Sequence, residues 1–382
     1  MVQTNNNVGH IIRHFLPKII YKRGLSKHQL KVLNAIAKCR TKALGGSVLA
    51  CKGCGEMHYV MHSCRNRNCP NCQGIDKELW IEDRKNELLP TRYYHVVFTV
   101  PCELRKLFAY NKEVMYNLLL TTAWEVLSTF GKNDKKLRAQ MGAIAILHTW
   151  DQKMNYHPHV HFIVPGGGIN KCDQWVAIKK TKGFLFDVIE MSKNFSAKCV
   201  NKIRKLKKKG EITGYVPKNM IEKQWVVFSK RAFGSPMTVV EYLGRYTHRV
   251  AISNGRILKV TETHVTFQWL DRNNNYTKKQ ETITGEEFVL KFAKHIVPKY
   301  FRKIRHFGFL SSRNKNEALN TIRDCLKISN ILIIKPTRSE ILKMRFGEQA
   351  LLSCKSCGGE LSLLKTYAKE RAPPNFNNAV IK

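Results

Sequence analysis

The middle of the chain reads Gly142-Ala-Ile-Ala-Ile-Leu-His-Thr-Trp150 and, after a polar connection, His159-Val-His-Phe-Ile-Val164. Both stretches are rich in apolar and β-branched residues, which is typical of buried strands. The connection is short, and a turn around residues 153–155 would join the two stretches as an antiparallel hairpin. The sequence therefore predicts two adjacent central strands of an antiparallel sheet.

Histidines mark one face of this predicted hairpin. Alternate residues of a strand share a face, so His159 and His161 point the same way. With the turn placed as above, His148 lies opposite this pair. Three imidazoles from adjacent strands can chelate one divalent cation and leave coordination positions open for water and a phosphate oxygen. His157 has the same phase and stays open as a ligand, although Pro158 indicates that the regular strand begins only there.

The charge of the chain is the next indication of its partner. Lysine and arginine number 66 against 28 acidic residues, giving a net charge of +38. Such an excess repels itself and implies a polyanionic partner, of which nucleic acid is the first candidate because neutralised phosphates release counterions. No apolar run approaches the ~20 residues of a membrane-spanning helix, and no signal-peptide pattern is visible. The composition predicts DNA as partner, no membrane, and a cytoplasmic location.

Two Cys-x-x-Cys turns lie near the N-terminus, Cys51-Lys-Gly-Cys54 and Cys69-Pro-Asn-Cys72. Such a turn places two thiolates side by side with backbone N–H groups directed at sulfur. Two turns supply the four tetrahedral ligands of a closed structural zinc site. The spacing predicts that these four cysteines share one Zn²⁺ ion.

The remaining cysteines leave alternatives open. Cys39 and Cys64, with His58 or His62, would complete a second zinc site, or they are simply reduced thiols. Cys354-Lys-Ser-Cys357 is half of a zinc knuckle with no obvious second half. It either binds zinc with a distant or intermolecular partner or remains reduced.

Arginines lie between the predicted zinc ligands, in Arg65-Asn-Arg67. A metal-held loop would present Arg65 and Arg67 rigidly, and zinc modules of this kind usually bind DNA rather than catalyse. We expect both side chains to contact DNA.

A helix is predicted from about Pro236 to Val250, and it carries two tyrosines. Tyr242 and Tyr246 are separated by one helical turn and share a face, so both phenols can reach one site. A phenol is a weak nucleophile that needs an activated phosphate and nearby cations, which Arg245, His248 and Arg249 could supply. We expect Arg245 and Arg249 to contact the DNA. Taken alone, such a pair is more often ordinary core packing.

Together these motifs resemble the HUH endonuclease superfamily and, more narrowly, the IS91 family of rolling-circle transposases. The similar segments occur in order along nearly the whole chain. They are Cys39-Arg-Thr, Gly45-Gly46, Ser63-Cys-Arg-Asn-Arg-Asn-Cys-Pro-Asn-Cys-Gln73, Val97-Phe-Thr-Val-Pro101, His159-Val-His161, Val164-Pro-Gly-Gly-Gly168, Tyr242-Leu-Gly-Arg-Tyr-Thr-His-Arg-Val-Ala-Ile-Ser253 and Arg305-His-Phe-Gly-Phe309. Asn68 departs from the histidine expected at its position, which argues against Asn68 as a ligand.

The resemblance implies an α+β fold, with an HUH-type central antiparallel sheet, flanking helices and a small N-terminal zinc-binding domain. It implies Mg²⁺ or Mn²⁺ at His159 and His161, with His148 as third ligand, and Tyr242 and Tyr246 as paired nucleophiles. One tyrosine would form a 5′-phosphotyrosine at an element end, and the other would take the second strand transfer. The DNA partners would be single-stranded element ends and target DNA, in the bacterial cytoplasm and its nucleoid.

The composition shifts and the resemblance together predict three domains. They are a zinc-binding DNA-recognition domain at 1–89, a tyrosine nuclease domain at 90–312 and a C-terminal extension at 313–382. Two other functions remain open at this stage. A plasmid replication initiator or relaxase would share the chemistry, and a non-catalytic zinc regulator would explain the charge and cysteines but leave the histidines and tyrosines as coincidence.

Overall fold

The computed structural model describes residues 6–21, 24–135, 137–178, 183–232, 238–239, 244, 250–271, 274–328, 336–347 and 353–368. Helices and strands alternate irregularly along these ranges. The helices are α1 (Val8–Ile19), α2 (Lys27–Ala37), α3 (Gln73–Lys85), α4 (Arg105–Tyr110), α5 (Lys112–Asn133), α6 (Val188–Lys208), α7 (Gly285–Lys294), α8 (Lys315–Cys325) and α9 (Arg338–Phe346). The strands are β1 (Gly46–Cys51), β2 (Met57–Met61), β3 (Tyr93–Thr99), β4 (Gly142–Trp150), β5 (Tyr156–Pro165), β6 (Gly167–Ile169), β7 (Trp175–Ala177), β8 (Val227–Ala232), β9 (Ile257–Val260), β10 (His264–Asp271), β11 (Thr277–Thr284), β12 (Ile304–Gly308) and β13 (Leu361–Tyr367).

A five-stranded sheet forms the centre of the fold, in the order β12-β4-β5-β3-β8. Every neighbouring pair in it is antiparallel. The predicted hairpin is confirmed as β4 and β5, and every residue of β4 is buried, as expected of a central strand. The predicted α+β class with a central antiparallel sheet is confirmed.

One face of the sheet is covered by helices α4, α5 and α6. Alternate strand residues such as Val96, Phe98 and Phe162 join Phe195 of α6 in the largest apolar core. The ring of Phe98 packs edge-on against both Phe162 and Phe195, at centroid distances of 5.9 and 4.9 Å. This helical layer fixes the sheet from one side and leaves the other side to carry the histidines.

The opposite face is divided into an apolar half and a polar half. Ile144, Ile146 and Ile163 pack with Val239 and with side chains from the ends of α3 and β12. The remaining half of this face carries the histidines and lines a cleft. Of the predicted helix at 236–250, the structure describes Thr238, Val239 and Gly244 as helical, and Val239 lies on this side of the sheet.

The N-terminal helices pack away from the central sheet. In a second core, α1 and α2 contact α7 and the sheet β11-β10-β9. Strand β10 pairs antiparallel with both β9 and β11. The buried side chains Phe267 of β10 and Phe288 of α7 join residues from α1, such as Phe15, in this core. No helix within the described ranges combines the length and the apolarity needed to cross a bilayer.

The C-terminal segment returns to the N-terminal module. Strand β13 pairs antiparallel with β1, making a three-stranded sheet in the order β13-β1-β2. The sequence predicts a C-terminal extension with a Cys-x-x-Cys turn in this part of the chain, and it does not predict this strand. Apolar and polar residues do not alternate cleanly in β13, where Leu363 and Leu364 are both exposed. Its partner strand also lies about 300 residues away in sequence, so no local pattern indicates the pairing.

Candidate active site and zinc sites

Three histidines meet on the open half of the central sheet. Strands β4 and β5 pair so that His148 lies directly opposite His159, and His161 follows two residues later on the same face. The donor nitrogens of the three rings all lie within 4.8 Å of one another. His148 and His161 are buried, at 3% and 8% exposure. The predicted convergence of three imidazoles is present, and donor nitrogens this close can share one ion after small side-chain rotations.

A backbone contact orients His159. Its Nδ1 atom lies 2.7 Å from the carbonyl oxygen of His157. A carbonyl only accepts, so Nδ1 carries the proton and the lone pair of the neutral ring is on Nε2. Histidines that ligate metals are commonly held by such a hydrogen bond on the far nitrogen.

A fourth histidine, His95 of β3, contacts the cluster. Its Nε2 atom lies 2.8 Å from Nδ1 of His161, and the two rings are stacked at 5.1 Å with an angle of 3°. When His161 donates from Nδ1, its own lone pair is on Nε2. Sequence reasoning misses His95 because the pairing of β3 with β5 is not local. A polar residue inside the apolar run Tyr94-His-Val-Val-Phe is the signal that could have found it.

The structure also shows how His157 is placed relative to the three converging histidines. Its Nδ1 atom accepts a hydrogen bond of 2.6 Å from the guanidinium of Arg105. Arginine is always a donor, so the remaining proton of a neutral His157 ring is on Nε2. His157 is not in the group of converging nitrogens. It lies beside the cluster and holds His159 through its carbonyl.

A cleft of about 690 Å³ opens over these histidines. This volume lies within the roughly 300–1,000 Å³ that is usual for ligand sites. Its walls come from the β4–β5 turn, from β8 and from the β9–β11 sheet. Side chains at its rim and walls include Lys153, Val226, Phe228, Arg256, Trp269 and Tyr276. The cleft is open to solvent, is lined in part by aromatic rings, and carries both basic and acidic side chains, since Asp151 and Asp271 also line it.

Four cysteines form a first zinc site, which joins two helices. The Sγ atoms of Cys39, Cys64, Cys69 and Cys72 all lie within 4.8 Å of one another. The Sγ of Cys72 is 3.5 Å from that of Cys39 and 3.7 Å from that of Cys64. Tetrahedral zinc with bonds of about 2.3 Å needs sulfur atoms about 3.8 Å apart. The group fits zinc, and the open possibility that Cys39 and Cys64 are ligands is favoured by this geometry.

A second group combines the two ends of the chain. Cys51 and Cys54 meet Cys354 and Cys357. The Sγ distances are 3.4 Å between Cys51 and Cys357 and 3.7 Å between Cys54 and Cys354, which again match tetrahedral zinc. The Cys-x-x-Cys turn near the C-terminus therefore has its second half in the N-terminal module.

The prediction that Cys51, Cys54, Cys69 and Cys72 share one ion is wrong. The β1–β2 hairpin carries the 51–54 turn away from α2 and α3, and β13 brings the 354–357 turn to it. The signal for this pairing is a near-repeat in sequence, Cys51-Lys-Gly-Cys-Gly-Glu56 and Cys354-Lys-Ser-Cys-Gly-Gly-Glu360. Both turns contain a glycine at positive φ directly after the second cysteine, Gly55 at 73° and Gly358 at 75°.

Contacts among the cysteines lower the pKa of some thiols in each group and raise the pKa of the others, which are Cys54, Cys64, Cys69 and Cys357. In the first, thiol hydrogen bonds from Cys64 and Cys69 lower the pKa of Cys39 to about 7, and contacts with Cys39, Cys64 and Cys69 lower the pKa of Cys72 strongly. In the second, a backbone hydrogen bond from Cys54 is the largest cause that lowers the pKa of Cys51 to about 7. Anionic sulfur is the form that binds zinc.

Neither candidate histidine joins Cys39 and Cys64. His58 lies at the second group instead, with Nε2 3.3 Å from Sγ of Cys354. His62 hydrogen-bonds the hydroxyl of Ser47 at 3.2 Å. His58 can donate to the Cys354 thiolate and so supports the second zinc site from outside its four sulfur ligands.

The two arginines of the cysteine loop differ in their surroundings. Arg65 is exposed, with φ at 50°. Arg67 is half-buried and donates to the carbonyl oxygens of Pro298 and Phe301, at 2.9 and 2.5 Å. Arg67 therefore anchors the zinc module to the segment before β12, and of the two only Arg65 presents its side chain to solvent.

The remaining candidate residues lie outside the described residues. They are Tyr242, Tyr246, Arg245, His248 and Arg249. Their expected roles as nucleophiles and DNA contacts stay predictions. Gly244, between the tyrosines, is buried against α3, where a Cβ atom would lie 2.2 Å from Cδ1 of Ile81.

Comparison with known proteins identifies the class as transposases. Residues 142–318 match the family described as "Putative transposase", and residues 11–100 match the family described as "Transposase zinc-binding domain". "Putative transposase y4qJ" of Sinorhizobium fredii is 36% identical over 372 residues, covering 92% of each chain. "Transposase for insertion sequence element IS801" of Pseudomonas savastanoi pv. phaseolicola is 26% identical over 329 residues, covering 81% of this chain and 77% of the relative.

The chain belongs to the IS91 family of transposases, with structural zinc in its cysteine module. Membership makes DNA its partner and DNA cleavage its general activity. The family also favours transposition over the two other functions that the sequence leaves open, a plasmid initiator and a non-catalytic zinc regulator.

Proposed function

We propose that this protein is an HUH-type nuclease that cleaves and rejoins single-stranded DNA at the ends of a mobile element. The observation that supports the proposal best is the three-histidine cluster on the floor of an open cleft. A structural histidine cluster has no need of such a cleft, whereas a phosphate group must reach the site from solvent.

Tyr242 and Tyr246 are the proposed nucleophiles. The phenolic oxygen forms a bond to phosphorus and the phosphorus–O3′ bond breaks; the phenol gives up its proton to solvent, and the leaving O3′ takes one up from solvent. The products are a 5′-phosphotyrosine and a free 3′-OH, and attack by a 3′-OH reverses the step without ATP. The placement of Val239 on the histidine-bearing side of the sheet supports this role for the helix.

The donor set favours Mn²⁺ over Mg²⁺. His148, His159 and His161 offer only imidazole nitrogens, whereas Mg²⁺ takes oxygen ligands and strict octahedral geometry. A bound divalent ion would polarise the scissile phosphate. The chain's own part is to hold the three rings: His157 fixes His159 through its carbonyl, and His95 fixes His161.

A covalent-adduct assay tests the proposal. We expect that the protein with Mn²⁺ and a single-stranded oligonucleotide carrying an element end forms an adduct that survives denaturation, and that Mg²⁺ supports it less well. Peptide mapping should place the phosphate on Tyr242 or Tyr246. The controls are the same sequence as a duplex and a reaction with a chelator.

Two outcomes would contradict this proposal. The first is the absence of any adduct with protein that carries its full zinc content. The second is an adduct that maps to a residue other than Tyr242 or Tyr246, which would show that these tyrosines are not the nucleophiles.

His95 is expected to act as a positioning residue for His161. Replacing His95 with alanine removes the hydrogen-bond partner 2.8 Å from Nδ1 of His161. Loss of such an outer partner usually weakens metal affinity about 10- to 100-fold. His95→Gln keeps an acceptor close to the same place and should lose much less.

The measurement is the Mn²⁺ concentration that gives half-maximal adduct formation. We expect it to rise in His95→Ala, with the rate largely recovered at saturating Mn²⁺. A merely structural role predicts instead a lower melting temperature and no rescue by metal. Equal Mn²⁺ requirements for the alanine variant and the wild type would refute the positioning role.

A further inference from the structure

An aromatic side chain forms one wall of the cleft, away from the histidines. Trp269 lies on β10 in phase with the buried residues Val265 and Phe267, so it faces the body of the protein. Val265 and Phe267 pack into the apolar core, whereas Trp269, further along the same face of β10, lines the cleft. Its ring is only partly buried.

Two lysines surround this ring. The Nζ of Lys153 lies 4.3 Å from the ring centroid of Trp269, and the Nζ of Lys279 lies 5.8 Å from it. Each ammonium group also has a carboxylate in reach, Glu281 at 3.7 Å and Asp271 at 2.7 Å. Both lysines keep more than two fifths of their side-chain surface exposed, at 42% and 47%, so they can also meet a phosphate.

The lining of the cleft also exposes apolar groups from the chain entering β8. Phe228 and Val226, at the start of β8, are 47% and 64% exposed. Phe228 is in register with Val97, which is in register with His161, so two strand spacings, roughly 10 Å, separate Phe228 from that histidine. Exposed apolar groups in the lining of a cleft of a strongly basic protein indicate a ligand with both apolar surface and negative charge.

The aromatic wall is fixed to the histidine hairpin. The guanidinium of Arg256 donates to the carbonyl oxygen of Gln268 on β10 at 2.7 Å, and also to that of Gln152 in the β4–β5 turn. Trp269 directly follows Gln268, and the turn connects the strands that carry the histidines. The position of the Trp269 ring relative to the histidines is therefore set by the fold.

We propose that Trp269, with Phe228 of the same cleft, is a stacking site for unpaired bases beside the cleaved phosphate. The proposal rests on the function proposed above, because it names how the single strand is held there. Every base has a π-face, so stacking tolerates any sequence, while the two lysines accept the phosphates. A duplex keeps its bases stacked on each other and cannot use the site.

Binding without metal tests the site. The probes are labelled oligothymidylate, an abasic strand of the same length and charge, and a duplex. We expect Trp269→Ala to weaken oligothymidylate binding about fivefold or more, with little change for the abasic strand or the duplex. Trp269→Phe keeps an aromatic face and should retain most of the affinity, and Phe228→Ala should act in the same direction as Trp269→Ala.

Tyr300 supplies a matched control. It is 84% exposed and has Lys299 over its ring at 4.6 Å, but it lies outside the cleft. Tyr300→Ala should leave the preference for the base-bearing strand unchanged. If the wild type binds the abasic strand as tightly as oligothymidylate, or if Trp269→Ala weakens both equally, the stacking site is refuted.

The same assay separates this site from the nuclease proposal. His159→Ala should keep the full preference for oligothymidylate, because the binding is measured without metal. If the wild-type protein shows the preference but forms no adduct with Mn²⁺, the nuclease proposal is refuted and base stacking stays supported. If the wild-type protein forms the adduct but shows no preference for oligothymidylate, the stacking site is refuted and the nuclease proposal stays supported.

Discussion

His159→Ala is expected to lower the rate of strand cleavage about 10³-fold, a loss of about 4 kcal/mol of transition-state stabilisation. The His159 ring is one of three whose donor nitrogens lie within 4.8 Å of one another, and its Nδ1 is already held by the His157 carbonyl. Removing it leaves two imidazoles, which bind a divalent ion weakly. The measurement is the initial rate of adduct formation in Mn²⁺.

The zinc content and the affinity for single-stranded DNA should not change in this variant. Both zinc groups consist of cysteines that lie in other parts of the fold. The matched control is His264→Ala, because His264 is exposed at the start of β10 and its ring contacts the hydroxyl of the adjacent Thr263. Near-normal cleavage by His159→Ala, or loss of zinc from it, would show that the metal sites are wrongly assigned.

A second variant separates ion binding from the chemical step. Tyr242→Phe combined with Tyr246→Phe should abolish the adduct but retain Mn²⁺ binding, whereas His159→Ala should lose both. Titration of Mn²⁺ by its paramagnetic signal reports the binding directly. An adduct that persists in the double phenylalanine variant would mean that another residue is the nucleophile.

Local pairing explains why the histidine cluster can be predicted from sequence. A short turn pairs β4 with β5, and one register shift between His148 and Trp150 then brings His148 opposite His159. His95 needs the order of strands in the sheet, because its contact with His161 joins positions 66 residues apart. Periodicity carries no such information, so His95 is visible only as a polar residue in an apolar strand.

The cysteines show the opposite case, in which a local pattern misleads. Cys51-x-x-Cys54 and Cys69-x-x-Cys72 have a spacing that suits one zinc ion, and sequence alone favours the nearer partner. The fold instead groups Cys51 with Cys354, because β13 adds to the edge of β1. Pairing across about 300 residues is outside what spacing can indicate, although the two turns have nearly the same sequence.

Cys354→Ser is expected to reduce the bound zinc from two ions per chain to one. Cys354 is buried, at 3% exposure, and its Sγ lies 3.7 Å from that of Cys54. A serine hydroxyl is a poor zinc ligand, and three remaining thiolates no longer close the tetrahedron. Zinc content measured by elemental analysis, with the concentration of folded protein, gives the stoichiometry.

The variant should also release the C-terminal segment. The pairing of β13 with β1 is supported by few buried side chains, namely Cys51, Cys354 and Leu361 with Leu49 against them, so the metal supplies much of its stability. We expect limited proteolysis to remove residues after β12 much faster in Cys354→Ser than in the wild type. Cys325→Ser is the matched control, because Cys325 is exposed on α8 and belongs to neither group. Two zinc ions and an intact C-terminus in Cys354→Ser would refute the second zinc site, whereas loss of one ion alone would show that the β13 strand holds without it.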